Sequence, residues 1–183
     1  MPVNNSVKKG LELIEKDTSK ILGLKVGKNV VDKPGMYIPK AEAQSPPELS
    51  FTVPSPTATY LVIALDIDAP FPSFGVLGPI LHWIQPGLTS SPSATEPSTS
   101  TLSSTSPFVA NYIGPAPPPF GGAHRYIFFL YEQPEGFDAV VKKYTPAGGA
   151  NLGNGKRMRY DLDAFVKEAG FGEVLAVNYF KSN

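Results

Sequence analysis

The 183-residue chain has no cysteine. That absence removes disulfides, thiolate nucleophiles and cysteine-ligated metals together. Net charge is absent as well, because 16 Lys and Arg residues balance 16 Asp and Glu residues. Nothing therefore argues for broad electrostatic capture of nucleic acid or of a membrane surface. No apolar run approaches the ~20 residues that cross a bilayer, and charged residues from Lys8 to Lys20 are unlike a secretory leader. Histidine occurs only twice and tryptophan once. A cytoplasmic protein is expected, with no membrane span and no nucleic-acid partner.

Punctuation is abundant: 20 prolines and 17 glycines separate short apolar runs. A hydrophobic fraction of 42% is enough for a buried core. Together these features predict one mainly β domain over residues 1–183, with short helices near the ends. Val7, Leu11, Ile14 and Ile21/Leu22 recur at helical spacing. They predict a helix from Val7 to Leu22 within an N-terminal segment 1–22, with Ser6 as N-cap and Gly23 as stop. Leu24–Val26 and Met36–Pro39 flank the Pro34-Gly35 turn as short strands, and Leu49–Val53 alternates as a half-buried strand. Tyr60–Leu65 is apolar throughout, which suits a strand covered on both faces. Thr89–Pro107, almost wholly Ser, Thr and Pro, reads as a surface loop, with a phosphorylated or partner-binding segment as the alternative. Phe137–Tyr144 and Tyr160–Ala169 are helix candidates, the second starting near Asp161 and stopping at Gly170, and Val174–Phe180 is a final buried strand.

Chemistry gathers at the ends of the apolar runs. Asp66-Ile67-Asp68-Ala69-Pro70 follows the first run, and His82 sits inside Ile80–Ile84. Gly114 to Gly122 is a Pro/Gly-rich loop leading into His124-Arg125-Tyr126. On extended backbone Asp66 and Asp68 share a side, as do Ile80, His82 and Ile84, and as do His124, Tyr126, Phe128 and Leu130. Neighbouring strands would gather Asp66, Asp68, His82, His124 and Tyr126 into one patch, where a carboxylate beside an imidazole makes a donor for a small anion. Taken singly, the same residues suit an Asx turn and a core histidine with one hydrogen bond. Gly148–Gly155 does not form a phosphate loop: no glycine lies five residues before Gly155, and Arg157 follows Lys156 where Ser or Thr is required. No metal-ligand spacing is present, and no cofactor is expected. Lys156, Arg157 and Arg159 form a small basic cluster that either steers anions or, as the preferred reading, is a solvated face.

Four stretches in order, Asp66-Ile67-Asp68-Ala69-Pro70, Leu81-His82-Trp83-Ile84, Tyr112-Ile113-Gly114-Pro115-Ala116-Pro117-Pro118 and Gly122-Ala123-His124-Arg125-Tyr126, resemble the signature of the phosphatidylethanolamine-binding protein family, also called the Raf kinase inhibitor protein family. The resemblance runs from about Gly23 to Phe180, with an N-terminal helix as in fungal-type members. It implies an antiparallel β-sandwich with peripheral helices and an anion pocket at the strand ends. The pocket residues it implies are Asp66, Asp68, His82, Ala116, Pro117, His124 and Tyr126. Ile67 stands in place of the family's proline, and Ala116 in place of a common glycine. The chain also stops after its last strand, without the C-terminal helix of mammalian members, so the pocket mouth is expected to be open or covered by Thr89–Pro107.

Three functions follow from that resemblance. One is a small-ligand binder for phosphate or carboxylate head groups. Another is a cofactor-independent fungal biosynthetic enzyme that condenses or cyclises anhydride or dicarboxylate units, as in maleidride formation, with His82, His124 and Asp66 catalytic. The third is a protease or kinase-pathway inhibitor that acts through a protein partner.

Overall fold

The computed structural model describes residues 4–73, 76–92, 99–147 and 150–183. Nine strands form one continuous sheet. In chain order they are β1 Gly23–Val26, β2 Asn29–Val30, β3 Met36–Tyr37, β4 Glu48–Phe51, β5 Tyr60–Asp66, β6 Ile80–Pro92, β7 Ser100–Ser103, β8 His124–Glu132 and β9 Ala176–Ser182. Three helices accompany them, α1 Asn5–Lys16, α2 Phe137–Tyr144 and α3 Leu162–Ala169. The spatial order is β2-β1-β4-β7-β6-β5-β8-β9-β3.

The mainly β expectation holds, but the sandwich of two separate sheets does not form. The reason is β6, whose 13 residues belong to both halves. Its first part pairs with β5 and its last part, Thr89–Pro92, pairs with β7. Between them the register slips, and Gly87 adopts φ 72. A side chain at Gly87 would be strained at that φ and would also come within 2.1 Å of Ser106 Oγ. The strand therefore bends at Pro86-Gly87 and curls the sheet around its own core. One strand pair also departs from the antiparallel pattern, since β3 runs parallel to β9.

The curl encloses one apolar cluster, with Tyr60, Val62, Ala64, Trp83, Phe128 and Phe180 among its buried members. The opposite face of β5, β6, β8 and β9 carries a second cluster, including Leu61, Ile63, Ile127 and Phe129, under the helices. Every residue of β5 is buried, as its unbroken apolar run predicts.

The Ser/Thr/Pro stretch needs correction. Ser100–Ser103 is a strand, hydrogen-bonded between β4 and β6, and Leu102 is buried. Composition hides this because the strand contributes a single apolar side chain to the core. Residues 93–98 lie outside the described residues. The first helix is also shorter than its periodicity predicts. Asn4 accepts from the Val7 N–H, so the cap lies before Ser6. Asp17 ends the helix by accepting from the Ser19 N–H and hydroxyl, a local competition that Asp and Ser win against helix propagation. Gly23 opens β1, which pairs with β2 and β4, not with the 36–39 segment. α2 and α3 match expectation, with Asp161 capping α3 and Gly170, at φ 71, closing it.

Candidate functional site

Antiparallel pairing brings three chain segments to one edge. Asp66 is the last residue of β5, opposite Ile80 at the start of β6 and Tyr126 near the start of β8. The register on β6 contains a bulge: Ala64 faces Trp83 and Leu65 faces Leu81, which leaves His82 as the extra residue. A bulge places two successive side chains on one face. His82 and Trp83 therefore both turn towards the inner core, where the His82 ring meets Tyr126 edge-on at 5.0 Å. Ile84 packs in the opposite cluster. The expected alternation of Ile80, His82 and Ile84 fails for that reason.

The Pro/Gly loop is laid over this edge by main-chain bonds. Ile84 and Ala110 pair as an isolated bridge, and Ile113 donates to His82 O at 3.0 Å. Gln44 Nε2 donates to Pro115 O, and Tyr112 Oη donates to Ala43 O. Gly114 must be glycine, since a Cβ there would lie 2.5 Å from Gln44 Oε1 and 2.9 Å from Gln44 Cα.

The result is a cavity of about 290 Å³. Asp66, His82, His124 and Arg157 are the buried polar residues of its lining, the exposed Asn154 also lines it, and Ala116 and Pro117 belong to its wall. His124 Nδ1 donates to Asp66 Oδ2 at 2.8 Å, and the other Asp66 oxygen accepts from the Asp68 N–H at 2.9 Å. His82 Nδ1 lies 2.7 Å from Ile113 O, and a carbonyl only accepts, so Nδ1 carries the proton. Each ring thus has its Nδ1 engaged, which leaves Nε2 for a ligand. The His124 Nε2 is buried and has no hydrogen-bond partner among the described residues.

Burial is the largest influence on His82 and lowers its basicity, with Arg157 and His124 pushing the same way against Ile113 O and Asp66. The unfolded chain, with an ordinary value near 6.5, then takes up the proton first. The His82 contribution to stability is therefore complete above about pH 6.5 and is lost as pH falls towards the lowered folded value. The thermal midpoint should drop between about pH 7 and 5, less steeply in His82→Gln, as scanning calorimetry across that range would show.

Two expected pocket residues lie elsewhere. Asp68 is not in the cavity wall. Its carboxylate accepts from Arg125 Nε at 2.8 Å, Nη2 at 2.6 Å and the Arg125 N–H at 2.9 Å. Burial opposes the Asp68 charge, but these bonds outweigh it and hold the carboxyl below its usual range. Asp66 and Asp68 diverge because the chain has left the strand by Ile67, so the two-residue alternation no longer applies. Tyr126 also lies behind the wall, supporting His82 and stacking on Phe180 at 5.4 Å. Its hydroxyl is buried, and that burial pushes its pKa well above the ordinary tyrosine value, so the phenol stays protonated.

Arg157 is the residue that sequence reasoning misplaced. It is not on a solvated face but is 1% exposed, lining the cavity. Its neighbour Met158 in the wall is the one sequence signal, an apolar residue between basic ones. None of the described residues of 89–107 lines the cavity. No cluster of three His, Cys, Asp or Glu among the described residues is placed to hold a metal.

The nine-stranded curl belongs to a known class. The chain is a member of the phosphatidylethanolamine-binding protein family, whose model matches residues 28–180. It is 37% identical over 126 residues to phomoidride biosynthesis cluster protein N of Talaromyces stipitatus, covering 68% of this chain and 59% of that protein. The chain thus spans less than two thirds of that relative. Among solved structures it is similar to carboxypeptidase Y inhibitor complexed with the cognate proteinase, with a TM-score of 0.70, 26% identity, and 98% and 93% of the two chains covered. The phosphatidylethanolamine-binding protein of Plasmodium vivax shares the fold, with a TM-score of 0.61 at 15% identity, over 100% and 97% of the chains. No described helix is long and apolar enough to cross a membrane.

Proposed function

We propose that the cavity binds the anionic group, carboxylate or phosphate, of a small ligand. The observation that carries this reading is the His124 Nε2, buried and unpartnered at a cavity wall while its Nδ1 is anchored on Asp66. A buried polar atom without a partner is costly. An anion sharing a proton with that nitrogen would remove the cost. The experiment is a titration with acetate and with inorganic phosphate, followed through the imidazole nitrogens of the two histidines. Saturable shifts at Nε2 support the reading, and flat signals for both ions refute it.

The similarity to a phomoidride biosynthesis cluster protein favours a second reading, in which the same cavity is catalytic. His82 is suited to it, since its lowered basicity and fixed Nδ1–H leave a neutral Nε2 that can take a proton from a bound dicarboxylate or anhydride unit. Under that reading His82→Ala folds but loses turnover. The inhibitor reading draws on the similarity to carboxypeptidase Y inhibitor and places function on a protein-binding surface instead of the cavity.

A further inference from the structure

The charges of the cavity do not favour an anion without one further residue. Asp68 is neutralised by Arg125 and lies outside the wall. Among the cavity groups, Asp66 brings a negative charge, and His124 shares a proton with it. His82 brings no charge at neutral pH. From these groups alone an arriving anion meets the Asp66 carboxylate.

Arg157 supplies the opposite sign. Its Nε donates to Leu152 O at 3.0 Å and its Nη1 to Leu81 O at 3.1 Å and His82 O at 3.5 Å. Its Nη2 donates to Asn111 O at 3.1 Å and to Asn111 Oδ1 at 2.6 Å. Every acceptor is a neutral oxygen, and among the described residues no ion pair involves Arg157. A guanidinium stays protonated in a protein, so its charge persists at the cavity wall, held in place by carbonyls and shielded from water. Because its hydrogens are already engaged, it acts on a ligand through its field.

We propose that Arg157 is the specificity-determining charge of this cavity: it offsets Asp66 and so selects an anion over a neutral or cationic ligand. The inference rests on the anion-binding reading and names the residue that makes that reading electrostatically sound. It also assigns Arg157 an effect on His82, which is faced by Asp66 from β5, by His124 and Tyr126 from β8, by the Ile113 carbonyl and by Arg157 itself.

Two variants test it, Arg157→Gln, which removes the charge but keeps amide donors, and Arg157→Lys, which keeps the charge but loses the fork. Acetate, inorganic phosphate and neutral acetamide are the probes, followed on the backbone amides of Gly114 and Ala116 by NMR. Arg157→Gln should weaken both anions about tenfold or more while leaving acetamide unchanged. Arg157→Lys should stay within about threefold of the original protein. The protonation midpoint of His82 should rise in the Gln variant and stay put in the Lys variant. Equal anion affinity in a folded Gln variant overturns the proposal, as does a loss in the Lys variant matching that in Gln. If the unaltered protein binds neither anion, the binding reading fails by itself, and the His82 midpoint still decides whether Arg157 sets the local field. If the Gln variant does not fold, the Lys variant decides alone: retained affinity supports the proposal, and a tenfold loss overturns it.

Discussion

Replacing Asp66 with alanine should cost about 1–3 kcal/mol for each of the two donors it leaves unpaired. Those donors are His124 Nδ1–H and the Asp68 N–H, and both residues are buried. The loss reaches function as well, because nothing then fixes the His124 tautomer, and anion affinity should fall with stability. Asp66→Asn is the informative control. Its amide oxygen can still accept from Asp68, while its NH₂ faces His124 and turns Nδ1 into an acceptor, moving the ring proton to Nε2. Urea unfolding gives the stability difference, and imidazole nitrogen shifts give the tautomer. An Asp66→Ala variant as stable as the original protein would mean that the two hydrogen bonds to Asp66 carry no weight.

Replacing Arg125 with alanine should cost about 1–3 kcal/mol, the range for stranding a hydrogen-bonded charge, discounted because Arg125 itself meets solvent. The Asp68 side chain is 5% exposed and would lose two side-chain donors, keeping only the Arg125 N–H. Asp68→Asn should cost less than Arg125→Ala, and combining the two should recover part of the loss, since the stranded charge is gone. The original pair should also weaken in acid. The folded Asp68 is held below its ordinary value, so its contribution is complete above about pH 4 and is lost as pH falls through the lowered folded value. A double-mutant cycle with no coupling would contradict the bidentate geometry.

How far the residues alone reveal this molecule depends on what each signal encodes. The run Tyr60–Leu65 announces a doubly covered strand because burial on both faces leaves no polar position. Asp161 with Gly170 announces a helix because caps are local chemistry. The curl at Pro86-Gly87, the strand at Ser100–Ser103 and the parallel pairing of β3 with β9 depend on partners far along the chain, which local pattern does not carry. At the site, Asp66, His82 and His124 are visible as chemistry at strand ends. Their separation from Asp68 is not, because the alternation that groups the two aspartates stops where β5 stops. Nor is the bulge at His82, since an extra residue shows only against its partner strand. Arg157 looks like surface charge because its neighbours Lys156 and Arg159 are basic. Its burial follows from the carbonyls of Leu81, His82, Asn111 and Leu152 converging on it in space.

The central claim is that an anion completes a cavity built on His124, Asp66 and His82. With two histidines in the chain, an imidazole nitrogen spectrum contains signals from only those two rings, and both line the cavity. Titration with acetate or inorganic phosphate should move the His124 Nε2 signal saturably while Nδ1, held by Asp66, moves little. If Nε2 stays in place with both anions while the protein remains folded, the cavity is not an anion site and the account is wrong.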